Sequence, residues 1–115
     1  MREGSEICLV KNKYGARKVT APDGQKFDSQ KEYHRWCELK LLERAGKINR
    51  LQRQVRFELI PKQEGETACH YVADFVYYDD LWNLVVEDAK GYKTDVYKIK
   101  KKLMLYIHGI RIQEV

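Results

Sequence analysis

No stretch of this 115-residue sequence approaches the roughly 18 consecutive apolar residues of a membrane span. Its opening, MREGSEICLVKNK, has no apolar run of the signal-peptide kind. The expectation is a protein with no membrane partner, in the cytoplasm. Cysteine is scarce as well: Cys8, Cys37 and Cys69 make an odd count with no CxxC, which excludes a disulfide-stapled secreted domain. Internal repeats and low-complexity tracts are absent. The length suits one domain of ordinary size, which excludes a multidomain enzyme. With 43% hydrophobic residues a small core is available, so wholesale disorder is excluded too.

What the chain does have is an uneven charge. The net charge is +5. Residues 1–60 carry 14 Lys+Arg against 8 Asp+Glu, whereas residues 61–115 carry 8 against 9. Lys11, Lys13, Arg17 and Lys18 form one basic run, and Lys98, Lys100, Lys101 and Lys102 form another. Between them lie Asp74, Asp79, Asp80, Glu87 and Asp88. Basic flanks around an acidic centre suit a protein that holds a polyanion against a bound cation.

The local patterns predict an order of elements. Residues 1–18 read as a basic arm, weakly ordered unless bound, and 19–115 as a single domain. Ala21-Pro22-Asp23-Gly24 is a turn signal between two short strands. Ser29 opens a helix with a Ser-Gln-Lys-Glu capping box; Tyr33, Cys37 and Leu41 form its apolar stripe, and Gly46 stops it. Val55–Leu59 alternates as a strand ending at Pro61. Residues 69–78 and 82–90 read as a β-hairpin with Asp79-Asp80 at its tip. A second helix runs from about Thr94, its N-cap, to Ile107, with Val96, Ile99, Leu103, Tyr106 and Ile107 on its inward face. Ile110-Arg111-Ile112 begins a last strand. The fold class is α/β with a mixed sheet, because the final helix crosses over to a further strand.

The chemistry is concentrated in YVADFVYYDDLWNLVVEDAKG. Side chains alternate along a strand, so Asp88 and Lys90 share a face and Glu87 takes the other. If Tyr78 pairs with Leu84, Asp74 lies directly opposite Asp88, with Cβ atoms roughly 4.5–5.5 Å apart. Two carboxylates that close suit an intervening hard cation such as Mg²⁺. Lys90 could then steady an attacking water or a developing phosphate charge, a site for metal-assisted phosphodiester hydrolysis. A register shifted by one residue would put Glu87 in place of Asp88.

These residues resemble the PD-(D/E)XK nuclease superfamily. Asp74 and Asp88-Ala89-Lys90 match its motif, and Glu32, in Phe27-Asp28-Ser29-Gln30-Lys31-Glu32, sits where its helix Glu belongs. Ala73 stands where the family carries Pro. More narrowly, Lys13-Tyr14-Gly15-Ala16, Phe27-Asp28-Ser29, Tyr71-Val72-Ala73-Asp74-Phe75 and Val86-Glu87-Asp88-Ala89-Lys90-Gly91 resemble a small phage-encoded group within it. The resemblance covers about residues 13 to 115.

It implies a restriction-endonuclease-like αβββαβ core, a mixed sheet flanked by helices. It also implies a Mg²⁺-dependent endonuclease, with Mn²⁺ able to substitute. Asp74 and Asp88, the Ala89 carbonyl and Glu32 would hold the metal. Lys90 would orient the water and stabilise the phosphorane.

Lys11, Lys13, Arg17 and Lys18 of the arm, with Tyr97, Lys98, Lys101 and Lys102 of the second helix, are the candidate DNA contacts, because the helix residues avoid its apolar stripe. No zinc finger or helix-turn-helix is present to read bases, so the expected substrate is structured DNA: a junction, flap or branch in phage recombination or replication, inside the host cytoplasm. Cutting both strands would call for a homodimer. The alternatives are a non-catalytic nucleic-acid-binding protein, or a nicking subunit that takes its specificity from a partner.

Several residues have simpler readings. Glu32 completes a capping box. His34, Cys37, Cys69 and His70 suit core or surface roles better than zinc. His108 is expected to serve the helix terminus.

Overall fold

In a computed structural model the described residues are 8–11, 17–89 and 93–115, with 8–11 and 17 described as backbone only. The chain divides into two compact units, Met1–Leu39 and Lys40–Val115, so that the division falls inside the first helix.

In the first unit, β1 (Cys8–Lys11), β2 (Arg17–Thr20) and β3 (Lys26–Phe27) form an antiparallel sheet in the order β1-β2-β3. The β2–β3 turn over Ala21–Gly24 is the expected hairpin, with Val19 opposite Phe27. Part of the expected loose arm is instead the strand β1, with Leu9 opposite Val19; its apolar run Cys8-Leu9-Val10 pairs more readily than a charged tail would. Val19, Ala21 and Phe27 are buried together, with Tyr33 and Trp36 packed against them.

Helix α1 covers Gln30–Arg44. Ser29 Oγ accepts the Glu32 N–H at 3.1 Å and Glu32 Oε1 accepts the Asp28 N–H at 3.0 Å, a cap that satisfies donors the first turn leaves open. Gly46, at φ 79°, ends the helix, and the Lys47 N–H donates to the Leu42 carbonyl at 2.9 Å. The expected stripe of Tyr33, Cys37 and Leu41 is not the buried one, since Cys37 and Leu41 are exposed. The inward line is Glu32, Trp36, Leu39 and Glu43, at helical spacing, with Leu39 wholly buried. Two of its four members are acidic, which is why hydropathy alone selects the wrong face.

In the second unit β4 (Ile48–Ile60), β5 (Cys69–Asp79), β6 (Leu84–Asp88) and β7 (Gln113–Glu114) form a mixed sheet in the order β4-β5-β6-β7. β4, β5 and β6 are antiparallel, and β7 returns parallel to β6. β4 is much longer than the expected five-residue strand. It reaches thirteen residues by tolerating left-handed residues at Arg50 (φ 58°) and Gln54 (φ 56°), with a register shift between Asn49 and Gln52. Within that shift the Leu51 N–H donates to Glu43 Oε2 at 3.2 Å.

Helix α2 (Asp95–Leu103) is capped by Thr94, whose Oγ1 accepts the Tyr97 N–H at 3.0 Å. It loosens into a π turn, Met104–His108, closed by Gly109 at φ 68°. The expected inward face is mostly outward: Val96, Ile99, Tyr106 and Ile107 are exposed. Tyr97 and Met104 turn inward, joining Leu59, Tyr71, Ala73, Val76, Val86 and Ile112 in the core. Tyr97 of the helix and Met104 of the turn that follows it thus seat on the sheet. The π turn then breaks the 3.6-residue period on which the expected stripe relied. No described helix is long and apolar enough to cross a membrane. The architecture is α/β with a mixed sheet.

Candidate active site

Tyr78 pairs with Leu84, Val76 with Val86 and Phe75 with Glu87. One step further in the same register sets Asp74 opposite Asp88, and the strands are still in contact there: the Ala89 N–H donates to Asp74 Oδ2 at 2.8 Å. Asp74 is 8% exposed and Asp88 1%. Glu87, equally buried, lies on the opposite face, where the Tyr77 hydroxyl donates to its Oε2. Asp88 therefore shares its face with Asp74, and Glu87 does not.

Asp74 sits where the sheet changes its inward residues. Tyr71 and Ala73 belong to the same core as Val76, so the inward set moves from odd to even positions between Ala73 and Val76. Across the ladder Arg53 pairs with Phe75 and Val55 with Ala73, which leaves left-handed Gln54 opposite Asp74. The Gln54 side-chain amide approaches Asp74 Oδ1 at 3.5 Å. A paired irregularity in both strands thus turns a carboxylate into a strand core that would otherwise be apolar.

Asp88 is held from the same side. Tyr71, 2% exposed, donates its hydroxyl to Asp88 Oδ2 at 2.6 Å, a charge-assisted bond. Burial pushes the Tyr71 hydroxyl far above the ordinary tyrosine range, and its bond to Asp88 and the Asp88 charge add to that shift. Its ring lies 6.4 Å from the ring of Tyr97. The Tyr97 hydroxyl is raised in the same way, by burial first and then by Glu114 and Asp88. It donates to Glu114 Oε2 at 2.8 Å, and Glu114 pairs with Asp88 across the parallel β6–β7 ladder.

Glu114 accepts ion pairs from Lys101 at 3.1 Å and Lys93 at 3.6 Å. The Tyr97 hydroxyl, then Lys101 and Lys93, hold its carboxyl below the usual range. Asp74, Asp88 and Glu114 thus form one row across β5, β6 and β7, edged by lysines.

The other expected site residues are placed as follows. Ala89 is buried beside Asp88, and Lys90 lies outside the described residues. Glu32 is 3% exposed, and one of its oxygens serves the α1 cap; it belongs to the first unit, Asp74 and Asp88 to the second. Lys13 lies outside the described residues, and Lys11 and Arg17 are described as backbone only, on β1 and β2. Lys18, Lys98 and Lys102 are exposed, while Lys101 is half-buried on Glu114.

Tyr97 corrects the expectation of a DNA contact. It is 4% exposed, because avoiding the Val96–Ile99 stripe places it on the face that packs against Tyr71. His108 reaches across to β4, its Nε2 lying 2.7 Å from the Glu58 carbonyl, instead of serving its own helix end.

Among the described residues no group of three or more His, Cys, Asp and Glu converges as a metal cage. The hard oxygen donors brought together are the two aspartates, a set that fits Mg²⁺, which usually takes one or two protein carboxylates and keeps several waters. Tyr71, Gln54 and Glu114 are the supporting residues that sequence reasoning missed. The parity of Tyr71 along its own strand points away from Asp88, and only the irregularity at Asp74 brings the two together.

Searches of curated proteins and of solved structures find no match to the chain. Residues 11–112 match the family described as a protein of unknown function, DUF1064, a span that takes in every element from the end of β1 to Ile112. The chain belongs to the DUF1064 family.

Proposed function

We propose that this protein is a Mg²⁺-dependent DNA endonuclease selective for branched or flapped DNA. The observation that carries the reading is the opposition of Asp74 and Asp88, two buried carboxylates on adjacent strands, immediately before Lys90. Burying two acids side by side is costly unless the site has a use for the charge.

Asp74 and Asp88 would hold the metal, with the Ala89 carbonyl as a further donor. When bound, the ion lowers the pKa of its water and offsets charge on the phosphoryl oxygens. The chain's own contribution is positional. Tyr71 donates to one oxygen of Asp88 and Ala89 to one oxygen of Asp74, which fixes both carboxylates for their task. The Lys90 ammonium is assigned to the attacking water and to the charge that develops on phosphorus. Lys98 and Lys102, exposed on α2, are assigned to the phosphate backbone.

The test is incubation of the protein with linear, flapped and four-way DNA in Mg²⁺, Mn²⁺ or EDTA. Cleavage that requires metal and is lost in Asp74→Ala and Lys90→Ala supports the enzyme. Binding without cleavage in either metal would leave a non-catalytic nucleic-acid-binding protein. Cleavage that depends on an added partner would identify a nicking subunit.

A further inference from the structure

Trp82 stands at the tip of the β5–β6 hairpin with φ 64°. That left-handed conformation favours glycine or asparagine, and a bulky aromatic there is an outlier. Burial does not compensate for it: Trp82 is 58% exposed and its neighbour Leu81 is 77% exposed.

The turn is held by Asp79. Its Oδ1 accepts the Leu81 N–H at 2.9 Å and the Asn83 N–H at 2.8 Å. Its backbone carbonyl accepts the Trp82 N–H at 2.9 Å, and its N–H donates to the Asn83 carbonyl at 3.0 Å. Donation from Asn83 foremost keeps the Asp79 carboxyl below the usual range.

Two side chains flank the exposed ring. Tyr78 lies 5.8 Å away at 46°. The guanidinium carbon of Arg50 lies 5.8 Å from the ring centroid, a cation–π contact. Arg50 comes from the left-handed irregularity of β4. Two non-glycine residues in a disfavoured conformation, Arg50 of β4 and Trp82 of the hairpin tip, therefore meet at one solvent-facing aromatic ring. Strain of that kind persists where the surrounding bonds hold it, and it clusters at ligand-binding and active sites. Of the two acids at the tip, Asp79 is taken up by the turn, and Asp80 is exposed beside it.

We propose that the hairpin tip is a base-stacking site. An unpaired nucleobase of branched DNA stacks on Trp82, Leu81 wedges into the opened step, and Arg50 meets the neighbouring phosphate. An exposed aromatic with an adjoining cation is the chemistry that receives a base without regard to sequence, and an apolar wedge is the chemistry that holds a step apart. This rests on the endonuclease reading and names the feature of the DNA that the enzyme recognises.

The experiment uses the full chain, in EDTA so that no hydrolysis occurs, with a flapped DNA carrying 2-aminopurine at the unpaired position. Trp82→Gly is the informative variant, because glycine relieves the left-handed strain, and an unchanged or higher melting temperature shows the fold is kept. The expected result is quenching by the wild type and its loss in Trp82→Gly, with affinity for the flap falling about tenfold. Equal quenching in both, or no quenching by the wild type, would overturn the proposal.

Wild-type cleavage in Mg²⁺ is measured in parallel. Quenching without cleavage would sink the nuclease reading and leave the stacking site. Cleavage with equal quenching in the variant would sink the stacking site alone. Trp emission that shifts with protein concentration and not with DNA would make the tip a contact between protein chains, and would also overturn it.

Discussion

The Tyr71 hydroxyl donates to Asp88 Oδ2 at 2.6 Å, joining two side chains that are each at least 98% buried. The bond fixes the rotamer of a carboxylate that faces another carboxylate across the ladder, and so holds the acidic pair in place before any ligand arrives.

Tyr71→Phe keeps the ring in the core and deletes only the donor. The expected cost is about 2 kcal/mol in stability, the scale of a hydrogen bond to a charged group. The apparent Mg²⁺ affinity should fall by about 10-fold or more, the scale of losing a group that orients a metal ligand. Thermal melts and Mg²⁺-dependent cleavage report the two separately.

Asp74→Asn and Asp88→Asn preserve shape and an acceptor oxygen while removing charge. Each should lower cleavage by at least about 10²-fold. Asp74→Asn should leave the melting temperature in EDTA nearly unchanged, because its oxygen still accepts the Ala89 N–H and the Gln54 amide can turn its own oxygen towards the new donor. A steep loss of stability with cleavage intact would mark the aspartates as structural.

Glu114 sets an acid limit. Its folded pKa is depressed, so its contribution is present above the ordinary value of 4.5 and disappears as pH falls through the folded value. Wild type should melt above Glu114→Gln at pH 7, and the two curves should converge in acid as Glu114 protonates. Melts run across pH 3 to 7 check this.

Tyr71 and Tyr97 set an alkaline limit. Both folded pKa values are raised above 10, so their contribution is complete below pH 10 and is lost as pH rises beyond it. Absorbance at 295 nm should show these two of the eight tyrosines ionising only with alkaline unfolding. Smooth titration of all eight with the fold intact would contradict the burial.

The hairpin register was legible because the polar tip Asp79–Asn83 sets Tyr78 opposite Leu84, and one antiparallel pair fixes the pairs that follow it. The Ser29 and Thr94 caps and the Gly46 stop were legible for the same local reason. Helix faces were not. α1 buries Glu32 and half-buries Glu43, and α2 turns Tyr97 inward in place of Val96 and Ile99, choices that hydropathy along each helix does not reveal.

The sequence by itself determined the order of elements from β2 onward, the α/β class and the opposition of Asp74 to Asp88, because these follow from periodicity and turn chemistry between near neighbours. Only the tertiary structure decided which groups hold those acids. Gln54, Tyr71 and Glu114 reach the row through the β4–β5 irregularity and the parallel return of β7. Contacts so distant along the chain leave no local pattern, since they are selected by core packing and by the need to satisfy buried charge.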